Sequence, residues 1–140
     1  VISCYAQGFD QMRVASGEYK LNLNFVEIAR IWKGGCIIRA RLLDPIRRAF
    51  ADQPGLRNLM LAPHFSNFIN QNCDSLRRVV EAAASLGVPC PAYANSLGYI
   101  DSYRQARLPA NLLQAQRDYF GAHTYRRIDK EGKFHTEWDK

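Results

Sequence analysis

Several patterns that define common protein classes are missing from this sequence of 140 residues. No apolar run is long enough to cross a bilayer, and no basic segment followed by an apolar one indicates a secretory signal. None of the nine glycines is spaced as GxG, so the glycine-rich turn that binds a dinucleotide between a strand and a helix is missing. We therefore expect a cytoplasmic protein with no membrane span and no nucleotide cradle of its own.

The cysteines and histidines form no pattern typical of a metal centre. There is no CxxC, and the histidines show no ligand spacing with one another or with the cysteines. An even cysteine count is the sole argument for disulfides, so reduced, mostly buried thiols are the better prediction. The residues concerned are Cys4, Cys36, Cys73, Cys90, His64, His123 and His135. We expect no bound metal.

The apolar residues recur at helical rather than strand spacing, which predicts an all-α fold. The domain is expected to span residues 1–125, followed by a polar tail over residues 126–140. Asn24 with Glu27 resembles a capping box at the start of a helix. Glycines are expected to end three helices, at Gly17, at Gly34-Gly35 for the helix that Asn24 begins, and at Gly87.

Proline leaves one helix boundary open. A helix predicted from Cys36 to Leu43 meets Asp44-Pro45, and proline inside a helix costs ~3 kcal/mol. Either the helix kinks here, or Asp44 caps a new helix with Pro45 at its first position. Further along, Pro91 and Pro109 are each expected to begin a helix.

The whole chain carries a net charge of +6, and many of its basic residues lie in its last third. Such a surface attracts nucleic acid or an anionic small molecule, or is a solvated face. No DNA- or RNA-binding motif accompanies it, so a phosphorylated metabolite is the better prediction than nucleic acid. The residues are Arg104, Arg107, Arg117, Arg126, Arg127, Lys130 and Lys133.

The segment from Asn111 to His123 contains the most informative pair of side chains. Its apolar residues predict an amphipathic helix that ends at a left-handed Gly121. Arg117 would then lie in the last turn and His123 just beyond it. A guanidinium and an imidazole that face one point suit a phosphate. The alternative is that Arg117 neutralises the helix C-terminus and His123 is a surface turn residue.

Four motifs bear on these alternatives: YAQGF at 5–9, IWKGGCIIR at 31–39, PANLLQAQRDYFGAH at 109–123 and FHTEW at 134–138. Together they resemble 6-phosphogluconate dehydrogenases, because they occur in that family's order and at its spacing over nearly the whole chain. The resemblance implies the final portion of the enzyme, namely the second half of its helical domain and its tail. It also implies that the catalytic lysine and glutamate lie upstream of Val1.

What the resemblance implies about function is specific. The full enzyme oxidises 6-phosphogluconate with NADP, releases carbon dioxide and forms ribulose 5-phosphate. NADP would bind to the upstream domain and not to this chain. The tail would cross to the other subunit of a homodimer, where Arg117 and His123 would bind the substrate's phosphate. Tyr119 is interpreted as packing and Asp118 as a structural partner.

Two further features bear on assembly. Phe134 and Trp138 are aromatic residues in a charged tail, which indicates docking on another surface or back onto the same domain. The first residue is not Met, which favours a piece of a longer enzyme over the alternative, a free-standing helical interaction module. A basic nucleic-acid binder is the weakest alternative.

Overall fold

The computed structural model describes residues 1–35 and 41–138. Within these ranges the chain forms six α-helices and no β-strand, which confirms the all-α prediction. The helices are α1 (Ile2–Glu18), α2 (Phe25–Gly35), α3 (Leu43–Asp52), α4 (Pro63–Ser85), α5 (Pro91–Tyr103) and α6 (Asn111–Gly121). A short 3-10 helix, Leu59–Leu61, precedes α4.

The chain divides into two compact units, Val1–Asp101 and a second unit that begins at Ser102. Helix α6 and the segment after it belong to the same unit. The boundary between a domain and a tail at residues 125 and 126 stays a prediction about the longer protein.

An aromatic cluster forms the centre of the first unit. Phe9 of α1 is buried. The centroid of its ring lies 4.9 Å from that of Phe50, 5.4 Å from that of Trp32 and 6.0 Å from that of Phe25. These contacts join α1 to α2 and α3. Burying a large aromatic side chain contributes about 1.5–3 kcal/mol, so the cluster is a main source of stability in this unit.

Buried polar groups in the first unit have partners. Asn58 is 2 % exposed, and its Oδ1 accepts a hydrogen bond from the Met60 N–H while its Nδ2 donates to the Tyr99 hydroxyl at 2.8 Å. Arg77 of α4 makes two hydrogen bonds of 2.9 Å to the Asp101 carboxylate on α5. These bonds fix α5 against α4 and against the turn at Asn58.

Several predicted helix boundaries are confirmed. The Glu27 N–H donates to the Asn24 Oδ1 at 3.1 Å, as in the expected capping box. Helix α2 ends at Gly35, and α5 begins at Pro91. After α4, Gly87 has a φ of +67° and the Val88 N–H donates to the Ala83 carbonyl at 2.8 Å, a glycine-type helix end.

Other boundaries differ from the prediction. Gly17 lies inside α1, which ends at Glu18. Helix α3 begins at Leu43, so Pro45 is its third residue; this is tolerated because the first four N–H groups of a helix have no intrahelical partner. The helix predicted from Cys36 lies largely outside the described residues. Helix α6 begins at Asn111 and not at Pro109.

The described cysteines are less buried than predicted. Cys73 is buried, Cys90 is intermediate and Cys4 is exposed, and all three are free thiols. Cys36 lies outside the described residues. None of the helices in the described part of the chain is long and apolar enough to cross a membrane.

Candidate functional site

Helix α6 presents its apolar residues to solvent rather than to a core. Leu112 is 83 % exposed and Phe120 is 73 % exposed. Leu113 and Tyr119 are exposed as well. A helix normally buries such a stripe, but the part of this face formed by Leu112, Leu113 and Phe120 is left uncovered by the described residues.

The end of α6 is built differently from the sequence prediction. Gly121 is the last helical residue, and Ala122 has the left-handed conformation, with a φ of 49° and a ψ of 39°. Thr124 is left-handed too, with a φ of 63°. The prediction of a left-handed Gly121 is therefore wrong. His123 lies between two non-glycine residues in a conformation that L-residues rarely adopt.

Gly121 instead provides space for the ring of His123. A methyl group at position 121 would lie 3.1 Å from the His123 Nε2 and 3.3 Å from its Cδ2. The imidazole thus lies directly against the last residue of α6, and its own surface is exposed.

Asp118 ties this helix end to the end of the chain. Its carboxylate is fully buried and accepts hydrogen bonds from the backbone N–H groups of Thr124 at 3.0 Å and Thr136 at 2.9 Å. The indole N–H of Trp138 donates to it at 3.1 Å, and the Nδ1 of His135 lies 2.9 Å away. The interpretation of Asp118 as a structural partner agrees with these contacts.

The acidity of Asp118 follows from those donors. Burial raises the pKa of the carboxyl, but the hydrogen bonds from Thr136, His135 and Trp138 outweigh it and hold the pKa at about 2, below the ordinary 3.8. Asp118 is therefore ionised at neutral pH. It stabilises the folded terminal segment as an acceptor and not as a proton donor.

The terminal segment, residues 122–138, folds back within its own unit. Tyr125 and Phe134 exchange two backbone hydrogen bonds of 2.8 and 2.9 Å as an isolated antiparallel bridge. The ring of Trp138 packs edge-on against Tyr119, with 5.9 Å between centroids. In the single chain both aromatic residues contact their own unit, Phe134 through Tyr125 and Trp138 through Tyr119 and Asp118. Docking on another surface stays a prediction.

Part of the positive charge in this segment is already paired. Arg127 makes hydrogen bonds of 2.9 and 2.6 Å to the Asp129 carboxylate, which lowers the pKa of Asp129 to about 2. The charged groups of Arg127 and Lys130 also lie 5.8 and 5.7 Å from the centre of the Phe134 ring. These cations are therefore less available to an external anion than their number suggests.

Arg117 and His123 lie toward the same end of α6, but no hydrogen bond joins them among the described residues, and the prediction that Arg117 lies in the last turn is wrong by one position. Arg117 lies one position before the last turn of α6, and both side chains are exposed. Within residues 1–35 and 41–138, neither makes an ion pair or a side-chain hydrogen bond. His123 lines an open cavity of about 920 Å³ together with Arg126, Arg127 and Lys133. Arg117 is not among the lining residues.

The sequence prediction missed the residues that shape this site. Gly121 was predicted to be a left-handed helix end, and not to leave space for the imidazole of His123. No role was predicted for Thr124 or His135. A signal was present, because the FHTEW motif contains His135, Thr136 and Trp138, which contact Asp118. Within the described ranges no group of three or more His, Cys, Asp or Glu could hold a metal ion.

Comparison with known proteins identifies the family. A sequence model described as "6-phosphogluconate dehydrogenase, C-terminal domain" matches residues 1–138. The chain belongs to this family.

Individual relatives agree with the family assignment. The chain is 57 % identical over 137 residues to the decarboxylating 6-phosphogluconate dehydrogenase of Shigella flexneri and 56 % identical to that of Escherichia coli strain K12. Each match covers 98 % of this chain but 29 % of the relative's length. The chain thus corresponds to less than a third of the relatives' length.

A solved structure shares the fold. The chain is similar to Plasmodium falciparum 6-phosphogluconate dehydrogenase, with a TM-score of 0.87 and 47 % identity over 98 % of this chain and 29 % of that one. That protein was solved in its apo form, with its cofactor NADP+ and with its substrate 6-phosphogluconate.

Proposed function

We propose that this chain is the C-terminal part of an NADP-dependent enzyme that oxidatively decarboxylates 6-phosphogluconate to ribulose 5-phosphate. Its role in that enzyme is to bind the phosphate of the substrate through Arg117 and His123 and to contribute dimer contacts. The family match over residues 1–138 supports the assignment to the enzyme. A cytoplasmic location stays a prediction.

The observation that carries the phosphate role is the arrangement at the end of α6. Arg117 and His123 are exposed and form no ion pair with other described residues, and the His123 ring is held against Gly121. A guanidinium binds a phosphate with two parallel hydrogen bonds, and an imidazole adds a third donor. An anchored phosphate fixes the position of the reacting carbons at the other end of the sugar acid.

No contact with NADP is assigned to this chain. Phosphate-binding turns of dinucleotide sites need closely spaced glycines, and none of the glycines in this sequence is spaced as GxG. Gly8, Gly17 and Gly98 lie inside helices. The cofactor would bind to the upstream domain, and no step of the reaction is attributed to residues of this chain.

The exposed face of α6 supports the dimer role. Leu112, Leu113 and Phe120 are large apolar residues that no described residue covers. Because Phe134 and Trp138 pack within their own unit, α6 and not these aromatics is the better candidate for the contact with a second subunit. The same face favours the second candidate function, a helical interaction module without catalysis.

The test uses a hybrid enzyme, in which the upstream part of the Escherichia coli relative is joined to this chain. Arg117→Ala should raise the KM for 6-phosphogluconate by roughly tenfold to a hundredfold, since a charge-assisted hydrogen bond contributes about 1.5–3 kcal/mol. Arg117→Lys should recover part of the loss, because a point charge lacks the planar fork. Arg107→Ala, an exposed residue of the same unit, is the charge-matched control.

The outcomes separate the candidates. A selective effect of Arg117→Ala with an unchanged KM for NADP supports the proposal. Equal effects of Arg117→Ala and Arg107→Ala would mean that net charge, and not a site at α6, attracts the substrate. A hybrid that forms a stable dimer and binds NADP but shows no oxidation of 6-phosphogluconate would favour the interaction module.

A further inference from the structure

The backbone on both sides of His123 is held in an unfavourable conformation. Ala122 and Thr124 have φ values of 49° and 63°, in the left-handed region that glycine normally occupies. Neither residue has a side chain of the kind that eases this conformation locally, as Asn and Asp do. Such a backbone persists where surrounding contacts hold it.

Asp118 supplies those contacts on both sides of His123. Its backbone carbonyl accepts a hydrogen bond from the Ala122 N–H at 2.9 Å, and its carboxylate accepts one from the Thr124 N–H at 3.0 Å. A single residue thus binds the residue before His123 and the residue after it. The Gln114 side chain adds a hydrogen bond of 2.6 Å to the Thr124 carbonyl.

The carboxylate is held in turn by the end of the described chain. Thr136 N–H and Trp138 Nε1 donate to its second oxygen, Oδ2, at 2.9 and 3.1 Å. The first oxygen, Oδ1, receives Thr124 and lies 2.9 Å from His135 Nδ1. These four contacts hold the fully buried carboxylate of Asp118 in a defined position.

Gly121 has no side chain, and the ring of His123 lies in the space that a side chain there would occupy. The Nε2, Cδ2 and Cε1 of His123 lie 3.1, 3.3 and 3.8 Å from the place where a side chain at 121 would begin. Two of these distances are shorter than an ordinary contact, so an alanine at 121 would require the ring to shift by a few tenths of an ångström. At Gly17 and Gly98, by contrast, an added methyl group would meet nothing within 4 Å.

We propose that Asp118 and Gly121 are positioning residues for His123: Asp118 fixes the backbone on both sides of the imidazole, and Gly121 leaves the space in which the ring lies. The inference rests on the proposed function, because it assigns this geometry to the binding of the substrate's phosphate. Neither residue is expected to touch the substrate. Both act through the orientation of His123.

The test is a double-mutant cycle in the hybrid enzyme. Gly121→Ala should raise the KM for 6-phosphogluconate about three- to tenfold and leave kcat within about twofold, because the displaced ring loses binding and not chemistry. In a His123→Ala background the same substitution should have no further effect, since there is no ring to displace. Gly17→Ala is the matched control and should leave KM unchanged.

Asp118 is tested with two variants, because its loss also loosens the terminal segment. Asp118→Asn keeps the shape but replaces one acceptor oxygen by a donor NH2, and it should raise KM in the wild-type background more than in the His123→Ala background. In the 140-residue chain itself, NMR contacts between the His123 ring and the Gly121 α-protons should weaken in Asp118→Asn and persist in Gly17→Ala.

The results distinguish this inference from the proposed function. If His123→Ala leaves the KM for 6-phosphogluconate unchanged, the proposed function of His123 is wrong, and the inference with it. If His123→Ala raises KM but Gly121→Ala does not, the positioning role of Gly121 is overturned and the phosphate role stands. If the effects of Gly121→Ala and His123→Ala simply multiply, Gly121 acts on stability and not through His123.

Discussion

The indole N–H of Trp138 donates a hydrogen bond of 3.1 Å to the buried carboxylate of Asp118, twenty residues earlier in the chain. Together with the contact between Trp138 and Tyr119, this bond closes the terminal segment over the end of α6. The segment that carries His123 is therefore bounded by a helix on one side and by residues 135–138 on the other.

Acid should open this closure. The pKa of Asp118 is lowered from 3.8 to about 2, so its stabilising contribution is complete above pH 4 and is lost as the pH falls through about 2. We expect the indole N–H signal of Trp138 to lose its shifted position and its protection from exchange as the pH falls through about 2.

The matched variants for the acid transition are Asp118→Asn and Asp129→Asn. Asp129 titrates in the same range but is paired with Arg127. The Trp138 transition should persist in Asp129→Asn and be absent in Asp118→Asn, where the indole N–H is already exchangeable at pH 7. A Trp138 signal that stays unchanged well below pH 2 in the wild-type chain would contradict the assignment.

Gly87→Ala should destabilise the first unit by about 1 kcal/mol, because the φ of +67° at this position is unfavourable for a residue with a Cβ. Gly17→Ala should instead be neutral or stabilising by roughly 0.5–1 kcal/mol, because Gly17 is helical and an added methyl group meets nothing within 4 Å. Urea unfolding followed by circular dichroism measures both. Equal changes in the free energy of unfolding would show that backbone conformation does not separate the two glycines.

Asn58→Ala should cost about 1–3 kcal/mol of stability, because it leaves the buried Met60 N–H without its acceptor and removes the bond to Tyr99. Tyr99→Phe removes the second bond alone and should cost about 0.5–1.5 kcal/mol. The double variant should be less destabilised than the sum of the two, as calorimetry can measure. Full additivity would mean that the bond between the two side chains contributes nothing.

Replacing Leu112 and Phe120 by Lys should abolish self-association of the chain. These two residues are 83 % and 73 % exposed on α6, and their burial in a dimer would contribute roughly 1.5–3 kcal/mol each. Sedimentation velocity over a range of concentrations checks the outcome. Leu86→Lys, at a residue that is 77 % exposed in the first unit, is the control and should leave association unchanged. A wild-type chain that remains monomeric at high concentration would count against the α6 contact.

Local signals in the sequence predicted the helices well but not their connections. The capping of α2 by Asn24 and the glycine end of α4 depend on neighbouring residues, and both were predictable. The geometry around Asp118 depends on residues up to twenty positions apart. No periodic pattern indicates that Ala122, rather than Gly121, takes the left-handed conformation, or that the Thr124 N–H beyond it bonds to the Asp118 carboxylate.

The candidate site shows the same division. The four ordered motifs together were sufficient to indicate the family and to name Arg117 and His123 as candidates. The packing of His123 on Gly121 follows from three-dimensional contacts that spacing does not encode. The apolar stripe of α6 was predicted as a helix face, and its exposure became visible once the core of each unit was known.

The most direct test of the cross-subunit phosphate site mixes two forms of the hybrid enzyme that are each inactive at substrate concentrations below the wild-type KM. One lacks the upstream catalytic lysine that the family resemblance implies, and the other carries Arg117→Ala together with His123→Ala. If the end of α6 serves the partner's site, some mixed dimers contain one intact site, and oxidation of 6-phosphogluconate should return to roughly a quarter of the wild-type rate on statistical re-assortment of subunits. If activity does not return although mixed dimers form, each subunit uses its own Arg117 and His123 or neither, and the proposed cross-subunit role is wrong.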